Sequence, residues 1–226
     1  MRGATIQLHA KRIVALLWIA LVTIVALAVL REVYVAAFGA ETVLKKLGLL
    51  TLTEESSLCG WYSSLLLAGI AGLLLISGHA DDRPRWKPYW NILAAIFVFL
   101  SFDEAVALHE RWVTLSALPS YKIFGAQWVI PYTIFFLLVG FAFLRFVLAQ
   151  PEPLRRLIFL AAAIYVGSAV GLEMVESYCA RASAMNCYLL SATIQEVGEM
   201  IGLTIFAAAL VASLGRRQPP ISVTLH

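Results

Sequence analysis

Residues 13–37 read IVALLWIALVTIVALAVLREVYVAA. From Ile13 to Leu30 the run carries no charge and one hydroxyl, Thr23. About 20 apolar residues at 1.5 Å each cross the hydrocarbon core of a bilayer as an α-helix. A helix is also the form that closes its own backbone hydrogen bonds in lipid. The run follows Arg2, Lys11 and Arg12, as a signal peptide would. It exceeds the roughly 7–15 apolar residues of a signal sequence, so it reads as a first transmembrane helix.

Five more runs of this kind lie at 56–78, 90–110, 129–149, 155–177 and 188–214. Hydrophobic residues make up 61% of the 226 and charged residues only 14%, and mean hydropathy is +0.85. A soluble domain carries about 25% charged residues, so this surface cannot be hidden in a soluble core. The runs are continuous and lack the ten-residue alternation of a porin-like barrel. The expected fold is all-α, a polytopic six-transmembrane-helix bundle occupying 1–217, with a short tail at 218–226. Connections are short, and no internal repeat is present.

Lys and Arg set the expected orientation. With the N-terminus inside, eleven fall on the inner side: Arg2, Lys11, Arg12, Arg83, Arg85, Lys87, Arg145, Arg155, Arg156, Arg216 and Arg217. Six fall outside: Arg31, Lys45, Lys46, Arg111, Lys122 and Arg181. Both termini are therefore expected in the cytoplasm, with the chain multi-pass in the cell inner (plasma) membrane. The inner basic residues suit anionic lipid and call for no nucleic acid.

Local signals sharpen the segment ends. Thr53-Glu54-Glu55 reads as an N-cap with first-turn acids for the second helix. Pro84, Pro88, Pro151 and Pro153 punctuate the inner loops. Trp86, Tyr89, Trp90, Trp112, Trp128 and Tyr188 fall near helix ends, as an aromatic belt does. Residues 41–52 (ETVLKKLGLLTL) suggest a short interfacial helix, weakened by Gly48. Helix glycines such as Gly69, Gly72, Gly167, Gly171, Gly198 and Gly202 suggest close helix packing.

The three cysteines, Cys59, Cys179 and Cys187, all fall at or near the outer side. Cys179 and Cys187 bracket the loop between the fifth and sixth helices, where a disulfide is expected to persist. No CxxC zinc spacing occurs.

The acids carry the functional signal. The third segment contains FLSFDEAVALHERW, the fifth AVGLEMVESYC and the sixth SATIQEVGEMIG. In a six-span topology Asp103, Glu104, Glu173, Glu176, Glu196 and Glu199 all reach the outer half of the bilayer. An isolated carboxylate at a helix centre costs about 2.5–3.5 kcal/mol, so the five at Asp103, Glu104, Glu173, Glu196 and Glu199 would cost more than about 10 kcal/mol. Protonation, bound cations, basic partners or water must offset that. His109 is the one histidine at suitable depth, and Arg31, Arg111 and Arg181 lie nearer the surface. Glu173 with Glu176, and Glu196 with Glu199, are i,i+3 neighbours whose charges repel unless a cation or proton lies between them. Arg31 with Glu32, and Glu176 with Arg181, read as interfacial ion pairs.

This inventory defines a candidate metal-ligand pool: Asp103, Glu104, His109, Glu173, Glu176, Glu196 and Glu199. Oxygen-rich donors with one imidazole suit a divalent iron, manganese or zinc ion. The set has a chemical analogy to di-iron carboxylate bundles but lacks their Glu-x-x-His pairs and second histidine. No catalytic motif (GxSxG, P-loop, GxGxxG, HExxH or CxxCH) occurs, and no catalytic residue is assigned. Three readings share these acids. One is a metal-binding membrane protein acting as an enzyme on a lipid- or quinone-like small molecule. The second is a proton or cation transporter. The third is a non-catalytic subunit bound to partner subunits of a membrane complex.

Overall fold

The computed structural model describes residues 9–38, 48–52, 57–108, 111 and 129–216. These form an all-helical structure with six helices long and apolar enough to span a membrane. They are α1 (Ala10–Phe38), α2 (Leu58–His79), α3 (Lys87–Val106), α4 (Val129–Leu148), α5 (Glu152–Arg181) and α6 (Met185–Gly215). All six expected runs are helices long and apolar enough to span. His109, Glu110 and the tail at 218–226 lie outside the described residues.

α6 is the hub. It packs closely on α1, α2 and α5, while α2 also pairs extensively with α3. Its inward face is paved with Leu203, Ala207, Leu210, Val211 and Leu214, all buried. Small residues bring the backbones together. A Cβ added at Gly202 would meet the Tyr165 backbone nitrogen at 2.9 Å and the Ala161 carbonyl at 3.0 Å. One added at Gly198 would meet the Ser168 hydroxyl at 2.1 Å. Without a hydrophobic drive between helices in lipid, this close approach is what van der Waals packing needs. Gly69, Gly72, Gly167 and Gly171 have no neighbour within 4 Å of such a Cβ, so they are not packing glycines. Gly78 against Trp90 and Gly215 against Ala10 are. Periodicity alone did not separate the two kinds.

α2 and α3 are joined inside the membrane by a reciprocal pair. The Ser64 hydroxyl donates to the Ser101 carbonyl at 2.9 Å, and the Ser101 hydroxyl donates back to the Ser64 carbonyl at 2.8 Å. α4 makes few close backbone approaches, and those are to α5. Aromatic contacts hold its C-terminal end. Phe146 is fully buried, with its ring 4.8 Å from Trp90 at 89° and 5.6 Å from Tyr89. Each such pair is worth about 0.5–1.5 kcal/mol beyond burial.

Several local expectations are corrected. α2 starts at Leu58, capped by Ser57, whose hydroxyl accepts the Gly60 N–H at 3.2 Å. Thr53-Glu54-Glu55 lies too early to be this cap and falls outside the described residues. Of the suggested helix at 41–52, the described part is a single 3-10 turn, Gly48–Leu50. Trp90 is 2% exposed and does not belong to an interfacial belt; its indole N–H is spent on Asp81, 2.9 Å away. Arg31 and Glu32 do form the expected ion pair, 2.5 Å apart.

The bundle has two chemically different ends. At one, the α2–α3 and α4–α5 turns meet the C-terminal end of α6 and carry Arg83, Arg85, Lys87, Arg155, Arg156 and Arg216. At the other, the sulfurs of Cys179 and Cys187 stand at disulfide distance, 1.95 Å, with Cα atoms 5.6 Å apart. They close the α5–α6 turn, where Ser183 takes a left-handed conformation (φ 54°). Cys59 is a free, buried thiol.

Candidate functional site

Three helices raise polar groups to one level. Asp103 is 16 residues from the start of α3 and Glu199 is 16 residues from the end of α6, each about 24 Å from the basic end at 1.5 Å per residue. Tyr165, 13 residues into α5, stands about 20 Å up by the same rise. The Tyr165 hydroxyl sits in the field of four carboxylates: Glu199 most strongly, then Glu104, Asp103 and Glu196. Asp103 is buried at 5% exposure, and Glu104, Glu196, Glu199 and Tyr165 are half-buried. Four of the seven expected site residues thus lie within electrostatic reach of one phenol contributed by a third helix.

Glu173 and Glu176 occupy the next turns of α5. Glu173 accepts from the Ser177 hydroxyl at 3.5 Å and from the Gln195 amide at 3.4 Å. Gln195 is 8% exposed, and its Oε1 has no hydrogen-bond partner. Glu176 is half-buried. Arg181 makes no ion pair among the described residues, so the partner of Glu176 is not Arg181. Glu196 also lies within electrostatic reach of the Cys59 thiol on α2. Among the described residues, no three His, Cys, Asp or Glu side chains stand close enough together to hold a metal ion. His109 is outside that set.

Two backbone irregularities flank the cluster. α3 ends at Val106, four residues short of the expected boundary, because Ala107 turns left-handed (φ 52°) and returns its N–H to the Asp103 carbonyl. A non-glycine residue there costs about 1–2 kcal/mol. In α5, Gly167–Leu172 is a π-helical stretch that begins two residues after Tyr165. π segments place an extra residue in a turn and recur at functional sites. Strain of both kinds gathers where side chains must be aimed and not merely packed.

Below the cluster runs an apolar groove of about 210 Å³ between α3, α4, α5 and α6. Leu93, Phe97, Phe135, Phe143, Ile158 and Phe206 line it, and Tyr165 forms part of its wall. It exists because α4 approaches its neighbours through side chains more than through backbone. An amphiphile in this groove could place its tail among these rings and its polar end at Tyr165.

Together these features define an all-helical, multi-pass class of protein, with six helices long and apolar enough to span a membrane and four acids within electrostatic reach of Tyr165. The chain belongs to the family of the domain of unknown function DUF8692, whose model matches residues 16–214. No curated protein and no solved structure matches it.

Sequence reasoning missed Tyr165, Gln195 and the π segment. Tyr and Gln carry no charge and raise no alarm on an insertion scale. Gly167 and Gly171 lie in that segment, but their four-residue spacing reads in sequence as helix packing.

Proposed function

We propose that this protein is an intramembrane cation-binding protein that acts on a lipid- or quinone-like molecule held in the groove. Asp103, Glu104, Glu196 and Glu199 hold a divalent metal ion, iron, manganese or zinc. Glu173, Glu176 and His109 form the outer part of the ligand pool. The convergence of the four carboxylates on the Tyr165 hydroxyl carries this reading. Four carboxylates, one buried and three half-buried, are costly apart in a bilayer if charged, and one shared cation relieves all of them. To share one ion the carboxylates would have to stand closer than they do here.

The orientation belongs to the same proposal. The eleven-to-six division of Lys and Arg puts both termini in the cytoplasm and the cluster in the outer half of the inner membrane. A divalent ion held by these carboxylates would supply Lewis-acid activation of water or oxygen, with the substrate entering from the outer leaflet. Elemental analysis of protein extracted without chelator tests the reading. Near-stoichiometric divalent metal, depleted in Glu199→Gln, supports it. Wild-type protein free of metal contradicts it and leaves the same acids to a proton carrier or a subunit role.

A further inference from the structure

At the basic end, a cavity of about 820 Å³ opens between the α2–α3 turn, the α4–α5 turn and the end of α6. Its walls include Asp81, Asp82, Arg83, Gln150, Ser213 and Arg216. Asp81 and Arg83 are committed to each other. Arg83 spends four of its five N–H groups: two on Asp81, one on the Ala149 carbonyl and one on Gln150. Asp82 and Arg216 are different. Both are exposed, both line the same cavity, and among the described residues neither side chain makes a hydrogen bond or ion pair.

A carboxylate and a guanidinium held apart in one cavity match a ligand with a cation and an anion held apart. The cavity sits at the level where helices leave the membrane, so lipid headgroups are the molecules at hand. We propose that it binds the headgroup of an aminophospholipid, with its phosphate on Arg216 and the remaining Arg83 N–H, and its ammonium on Asp82. A guanidinium presents paired donors to phosphate oxygens. A primary ammonium donates hydrogen bonds to Asp82, whereas the quaternary ammonium of a choline headgroup has no N–H to donate. A glycerol headgroup offers Asp82 no positive charge. This site is independent of the carboxylate cluster, which lies about 24 Å along the helices.

The test uses the full chain reconstituted in phosphatidylcholine vesicles doped with phosphatidylethanolamine or phosphatidylglycerol, then re-extracted. Retained lipid is quantified by mass spectrometry. Wild type should retain phosphatidylethanolamine several-fold over both other lipids. Asp82→Asn should bring phosphatidylethanolamine down to parity with phosphatidylcholine, and Arg216→Gln should lower retention of every phospholipid. Excess inorganic phosphate should displace none of it. Both side chains are exposed, so wild-type thermal unfolding is expected of both variants. Equal retention by wild type, enrichment of phosphatidylglycerol, displacement by inorganic phosphate, or an unchanged preference in Asp82→Asn each overturns the assignment.

Discussion

Arg83 donates to the Ala149 carbonyl at 2.8 Å, tying the α2–α3 turn to the α4–α5 turn across 66 residues of chain. The same guanidinium grips Asp81 through Nε and NH2, both at 2.9 Å. Asp81 also receives the Trp90 indole N–H and the Arg83 backbone N–H. One carboxylate therefore organises two loops and seats the aromatic cluster that anchors α4.

Asp81 makes stability depend on pH. Burial pushes its carboxyl up, but the hydrogen bonds from Arg83 and Trp90 outweigh this and hold it down at about 2, against an ordinary 3.8. A lowered folded-state value means that the contribution is fully present above 3.8 and is lost as pH falls toward 2. Asp81→Asn should cost about 1–3 kcal/mol at neutral pH, with half-exposed Arg83 keeping the figure low. It should also flatten the unfolding midpoint over that acidic window. A variant that retains the wild-type acid dependence would show that another group is responsible.

The glycines divide into two predicted classes. Gly202→Ala places a Cβ against the backbone of Tyr165 and Ala161, which cannot rotate away, and should cost about 1–3 kcal/mol. Gly72→Ala meets nothing within 4 Å and should be neutral or stabilising by up to about 1 kcal/mol through helix propensity. Thermal unfolding in detergent separates them, and similar losses at both positions would contradict the helix contacts described here.

The cysteines give a chemical readout of the α5–α6 turn. Thiol labelling of denatured, unreduced protein should modify Cys59 alone, and reduction should expose Cys179 and Cys187. Labelling of all three before reduction would remove the bridge.

Orientation is tested separately, by reporter fusions at Lys45 and Arg217. The proposed topology puts Lys45 outside and Arg217 in the cytoplasm. Reporters on one side, or reversed, would contradict it and move the carboxylate cluster to the other leaflet.

The six spans were legible because each is a long apolar run, and lipid leaves a helix as the economical way to satisfy such a backbone. Counting residues along the helices puts Asp103 and Glu199 at one level, each 16 residues from the basic end. Rotation was harder to read. Asp103, Glu104, Glu196 and Glu199 lie within electrostatic reach of one phenol, whereas Glu173, just after the π stretch at 167–172, accepts from Gln195. That stretch breaks the 3.6-residue period on which a helical wheel depends. Ser57 was overlooked as a cap because Thr53 with its two acids carried the stronger local signature.

The central claim is that α3 and α6 share one cation beside Tyr165. Electron paramagnetic resonance of metal-stripped protein titrated with Mn²⁺ tests it most directly. Wild type should immobilise one ion per chain. Glu104→Gln and Glu199→Gln should each weaken binding at least about tenfold, a loss of about 1.4 kcal/mol, while Glu152→Gln at the opposite end should leave it unchanged. Mn²⁺ that stays free in the presence of wild-type protein, or binds equally well to Glu199→Gln, would contradict the account.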